Sequence, residues 1–142
     1  MLEQGRVEPH ATSAREIQDL RAVVERDLQD AALPELSEDN AFGLAYEAGL
    51  LLARMATACA GYRVRGAGAH QTAFVALEIA LGSLASQAAA YFEVCRRKRN
   101  ILSYDNADVT SATEVTEILR EVRRLEVLVE RWIARRHPVL AR

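Results

Sequence analysis

Arg96-Arg97-Lys98-Arg99-Asn100 sets four consecutive cations and an amide at the end of a helical pattern, and Ile101, Leu102, Ser103 and Tyr104 follow directly. A guanidinium is a rigid donor fork that matches the oxygens of a phosphate, and an adjacent amide orients such a fork or meets the phosphate itself. On a helix Arg96 and Asn100 stack at i, i+4, and Arg99 lies one turn from Arg96. Tyr104 falls five residues beyond Arg99, about a turn and a half onward, so it brackets the same cleft. Arg99, Asn100 and Tyr104 are therefore candidate catalytic residues, and Arg96, Arg97 and Lys98 candidate phosphate contacts. The same residue types also suit a structural network, in which Glu93 and Asp105 would be the ion partners of Arg99.

His70 follows the loop Gly66-Ala67-Gly68 and opens the next helical pattern. There it either helps satisfy the unpaired N–H groups of a helix start or reaches the cleft of the basic run as a further phosphate contact. Other chemistries find no support in the residues. Gly66-x-Gly68 follows no strand and has no third glycine, so it is no dinucleotide fingerprint, and neither a P-loop nor Gly-x-Ser-x-Gly occurs. A di-metal bundle site needs Glu-x-x-His on facing helices; no such pair occurs, and His10, His70 and His137 are dispersed. No metal and no cofactor are expected. Cys59 and Cys95 have no Cys or His at ligand spacing and read as buried thiols of a reducing cytoplasm.

The elements that must position these groups are helical. Residues 1–11 read as a flexible arm. Ser13 with Glu16 is a capping-box pattern, and Ile17, Leu20, Val24, Leu28 and Ala31 recur at three-to-four spacing up to Pro34. Ser37 caps a second helix over about 38–60, striped by Phe42, Tyr46, Leu50, Ala53 and Ala56 and closed by Gly61. A third runs over about 69–81, and Gly82-Ser83 separates it from a fourth that carries the basic run. Asp105-Asn106-Ala107-Asp108 reads as a turn. Ser111 with Glu114 caps the longest helix, about 112–136, with a seam of Val115, Ile118, Val122, Leu125, Val129 and Trp132. No window alternates with period two, so strands are not expected. The prediction is all-α: a bundle of four to five helices, mostly antiparallel and up-and-down, as a single domain over 12–136 with a tail at 137–142.

Composition agrees. In 142 residues, 50% are hydrophobic and only 6% aromatic, and 18 cations stand against 20 carboxylates for a net charge of −2. That balance announces no global affinity for nucleic acid, although cations concentrate late in the chain. The first ten residues lack the apolar core of a signal peptide, and no run reaches the roughly 18 apolar residues that span a bilayer. The expectation is a cytoplasmic chain with no membrane contact.

Arg99-Asn100-x-x-x-Tyr104, late in a long helix of a small all-α chain, resembles the signature of the HEPN superfamily (higher eukaryotes and prokaryotes nucleotide-binding domains). That signature is Arg, a polar residue often Asn, about three variable residues, then His. Gly61-Tyr62-Arg63, the following glycine loop, His70 and the Arg-rich run extend the likeness over roughly residues 38–133. The resemblance implies a homodimer formed through the motif helix, with two motif copies facing one cleft that binds RNA. It also implies metal-independent endoribonuclease chemistry of the kind found in toxins paired with a nucleotidyltransferase antitoxin. Arg99 and Asn100 carry over by position, and Tyr104 occupies the His position. A phenol near pKa 10 does not exchange protons at neutral pH as an imidazole near 6.5 does, so binding transfers to this chain more directly than cleavage. The alternative is a non-catalytic helical dimerisation protein in which Arg99 and Tyr104 are structural.

Overall fold

The computed structural model describes residues 6–66, 68–104 and 109–142, with 102–104 as backbone alone. The expected turn at 105–108 lies outside them, as does the start of the expected arm. Among the described residues five α-helices, α1 (Ala14–Ala31), α2 (Glu38–Cys59), α3 (Ala69–Leu81), α4 (Ser86–Tyr104) and α5 (Ala112–Arg136), form an all-α bundle. Ser13, Ser37 and Ser111 accept from the backbone N–H three residues on, so each of these helices starts where a hydroxyl can satisfy an orphan donor. At α5 the box is complete: Glu114 returns a carboxylate oxygen to the Ser111 N–H at 2.9 Å.

The bundle is built around α2, against which α1, α3, α4 and α5 all pack. Alanine and glycine along α2 leave room for neighbours on several sides. Ala45, Ala48, Leu50, Ala53, Met55 and Ala56 are fully buried. Gly49 is the closest approach: a Cβ there would stand 2.7 Å from Cε1 of Phe92 on α4. The Phe92 ring stacks in turn on Phe74 of α3, 5.2 Å between centroids at an interplanar angle of 6°. The amphipathic α1 and α5 close the other side with Ile17, Val24 and Leu28 and with Ile118, Val122, Leu125, Val129 and Ile133.

Two sequence expectations are corrected. Val7–Pro9 (β1) and Tyr62–Val64 (β2) form a two-stranded antiparallel sheet, Val7 opposite Val64 and Pro9 opposite Tyr62. Three-residue strands are too short to show an alternation, and this pairing joins segments more than fifty residues apart, so no local pattern announces it. Part of the expected arm is thereby fastened, with Val7 buried. Second, an 18-residue window within Ala69–Ile101 has a mean hydropathy of 1.5 and is by composition long and apolar enough to cross a membrane. Gly82, at φ 72°, interrupts that stretch, and a 3-10 turn over Gly82–Ala85 joins α3 to α4. Phe74, Leu77 and Phe92 of this stretch are spent on the bundle core.

The tail is also docked. Arg21 is buried on α1, makes two hydrogen bonds to Glu130 of α5 (2.7 and 2.9 Å) and donates to the Leu140 carbonyl at 2.8 Å. A buried, bidentate guanidinium with a third acceptor fixes the chain end beyond α5. His137 ends α5 and packs on Trp132.

Candidate functional site

α4 carries a buried stripe of Ala89, Phe92 and Cys95, which Ala85 of the preceding 3-10 turn extends. Arg99 lies two turns beyond Phe92, so the same face that buries the ring brings the guanidinium onto α2. Phe92 meets Gly49, and the Arg99 side chain meets Gly43, where a Cβ would lie 3.5 Å from its Nε. The contact moves backward along α2 as it moves forward along α4, so the two helices run antiparallel. Glu47, one turn from Gly43, places Oε1 3.7 Å from Arg99 Nη2, and both side chains are about one-third exposed. Leu36, Asp39, Asn40, Gly43, Glu47 and Arg99 line a cleft of about 530 Å³. Asp39 Oδ1 accepts from the Thr110 N–H at 3.1 Å, tying the cleft wall to the entry of α5.

The other cations of the run diverge. Arg96 makes two hydrogen bonds to Glu93, 3.0 and 2.7 Å, which hold that carboxyl below its ordinary range. Arg97 reaches the same carboxylate at 3.5 Å and is otherwise exposed. Lys98 turns the opposite way: its Nζ donates to the Val109 carbonyl at 3.1 Å, pairs with Glu114 at 2.9 Å and stands over the Phe42 ring. Asn100 is exposed. Arg96 to Lys98 thus each meet a carboxylate of the same chain, and the run is much less positive than its sequence implies. Among the described residues Glu93 serves Arg96 and Arg97, and Glu47 is a carboxylate that faces Arg99. Asp105 lies outside the described residues, as does the side chain of Tyr104.

His70, at the start of α3, enters the same electrostatic neighbourhood. Its ring lies 6.0 Å from that of Tyr46, centroid to centroid. Burial holds the imidazole below its usual pKa; Glu47 opposes this, and Arg54, Arg99 and Arg96 add to the depression. The ring is therefore neutral at pH 7. Tyr46 beneath it is fully buried, and burial, with Glu47 beside it, drives the phenol far above its ordinary range. Its hydroxyl has no hydrogen-bond partner among the described residues.

Sequence reasoning brought Arg99 and His70 forward but passed over Glu47, Gly43 and Asp39. One signal was present: a glycine inside a helical pattern costs about 0.5–1 kcal/mol and marks a close approach, and Gly43 is such a residue. Among the described residues no group of His, Cys, Asp and Glu is arranged to hold a metal ion. The cleft instead offers one guanidinium beside carboxylates, a neutral imidazole nearby and an exposed amide, a set able to position a phosphate and accept a proton. No family model matches the chain, nor does any curated protein or solved structure, so its functional reading rests on this geometry.

Proposed function

We propose that the chain is a HEPN-like protein whose Arg99 cleft binds the phosphate of RNA or of a nucleotide, as a homodimer. The carrying observation is the position of Arg99. It alone of the four cations lines the cleft, and its side chain is about one-third exposed there, so a phosphate entering the cleft meets the guanidinium. Asn100 and Arg97, both exposed, supply further donors. Dimerisation through α4 is supported by its outer face, where Val94 and Ile101 are about 65% and 48% exposed, two turns apart. In RNA cleavage, neutral His70 would take the proton of the ribose 2′-OH as that oxygen bonds to phosphorus, and Arg99 would stabilise and Asn100 orient the pentacoordinate phosphate. The P–O5′ bond would break with the Tyr104 hydroxyl protonating the leaving 5′-oxygen. Such a protein would be the cytoplasmic, toxin-like half of a module whose other half is a nucleotidyltransferase antitoxin.

A second reading is favoured by the internal neutralisation of Arg96, Arg97 and Lys98: a non-catalytic dimerisation protein whose basic run is structural. One experiment separates the two. RNA binding and metal-free cleavage of total RNA are measured for the wild type, Arg99→Ala and His70→Gln, with mass determined in solution. Binding lost about tenfold or more in Arg99→Ala at unchanged dimerisation supports the phosphate site. Wild-type protein that dimerises without binding RNA leaves the scaffold reading, and a strict monomer at tens of micromolar overturns the shared cleft.

A further inference from the structure

Beyond Glu47 along α2, away from the Arg99 cleft, lies a second cleft of about 410 Å³, lined by His10, Glu16, Arg54 and Arg63 with Thr57 and Ala58. Four parts of the chain meet there: the segment after β1, the first turns of α1, the end of α2, and β2. His10 is placed by its backbone, whose N–H donates to the Gly61 carbonyl at 2.8 Å and carries the β1–β2 pairing one residue further. Its Nε2 lies 2.8 and 3.0 Å from the two oxygens of Glu16, and Thr12 Oγ1 donates to the same carboxylate at 2.6 Å. The Glu16 charge is thus spent on local donors. Glu8 is likewise taken, by Arg63 Nε and by Arg65 Nη1.

What these pairs leave over is positive. Arg54 is exposed and has no carboxylate within ion-pair distance among the described residues. Arg63 is about 63% exposed and engages Glu8 through Nε, so the terminal edge of its fork is available. Two guanidiniums, from Arg54 and Arg63, therefore line one concave surface with the His10 imidazole and Glu16, while Arg65 stands outside it and shares Glu8 with Arg63. A planar fork with unsatisfied N–H donors beside a second such fork is suited to a tetrahedral oxyanion.

We propose that this cleft is a phosphate-binding site, with Arg54 as the principal ligand and the terminal edge of Arg63 as the second. It stands independently of the Arg99 cleft. The phosphate could belong to a free phosphomonoester or to the backbone of an oligonucleotide. Arg54 is eleven residues from Gly43, about 16 Å along α2 at helical rise, so one short strand can reach both clefts.

The test is an NMR titration of the histidine side chains in the full chain, at pH 7 and constant ionic strength. Inorganic phosphate and a short oligoribonucleotide are the two ligands, and chloride is the control. A saturable shift of the His10 resonances is expected, with affinity about tenfold lower or worse in Arg54→Gln and severalfold higher in Glu8→Gln, which releases Arg63. Saturation by inorganic phosphate, undisturbed by Arg99→Ala, assigns a self-contained phosphomonoester site. Saturation by the oligonucleotide alone, sensitive to both Arg54→Gln and Arg99→Ala, assigns a backbone phosphate. No saturable shift beyond chloride with either ligand, or equal affinity in Arg54→Gln, overturns the proposal. Arg54 is exposed, so its variant is expected to fold, and circular dichroism checks that.

Discussion

At the scale of single residues, Tyr46 separates structural need from chemical possibility. It sits fully buried beneath His70 and beside Phe74, 6.1 Å between ring centroids. Its hydroxyl hydrogen-bonds nothing among the described residues. A buried hydroxyl without a partner carries an uncompensated desolvation cost of about 1–3 kcal/mol. Tyr46→Phe keeps the ring and removes that cost. It is therefore expected to be neutral or to stabilise the protein by up to about 1–2 kcal/mol, read as an unchanged or raised denaturant midpoint. A clear loss of stability would mean that the hydroxyl has a partner in the folded protein. Arg99 is the contrasting case: its ion pair with Glu47, about one-third exposed at both ends, contributes about 0–1 kcal/mol to stability.

At the scale of elements, the approach of α4 to α2 decides where Arg99 goes. Two glycines of α2 face α4, and they differ in tolerance. A Cβ at Gly49 would enter the Phe92 ring, 2.7 Å from Cε1 and 3.1 Å from Cζ, where Phe74 stacks behind it. A Cβ at Gly43 would meet only the Arg99 side chain at 3.5 and 3.9 Å, an ordinary contact. Gly49→Ala is expected to destabilise by about 1–3 kcal/mol through overpacking, whereas Gly43→Ala should fold normally and alter only the floor of the Arg99 cleft. Paired chemical denaturation of the two variants measures the difference. Equal stabilities would show that α4 does not rest on α2 as described.

At the scale of the whole molecule, the many carboxylates drawn into ion pairs and caps predict an acid-labile fold. Arg96 holds Glu93 below its ordinary value, Arg123 does so for Glu25, and the Ser111 N–H followed by Lys98 for Glu114. A carboxyl with a depressed folded pKa contributes stability that is present above its unfolded value, near 4.5, and is lost as pH falls through the folded value. His70 acts in the same direction from a higher starting point. Its imidazole is depressed by burial, so protonation in the unfolded chain near pH 6.5 begins to favour unfolding. Melting temperature should therefore decline gently below about pH 6.5 and steeply below about pH 4.5. His70→Gln should remove the first decline and leave the second. A melting temperature constant from pH 7 to pH 3 would contradict both parts.

The sequence by itself determined the helices and their caps. Ser13, Ser37 and Ser111 act over three residues, and the apolar spacing in α1 and α5 repeats within each helix, so both signals are local and survive without knowledge of neighbours. It also brought forward Arg99 and His70, because unusual residue types stand at a helix end and a helix start. Only the tertiary structure decided what surrounds them. Glu47 and Gly43 lie more than fifty residues from Arg99, and the β1–β2 pairing that seats His10 spans a similar separation. Neither relation leaves a periodic trace, since each depends on which faces meet rather than on spacing along the chain. The same holds for charge. Four consecutive cations read as a basic patch, yet at helical pitch successive side chains point about 100° apart, so Arg96, Lys98 and Arg99 each find a different carboxylate.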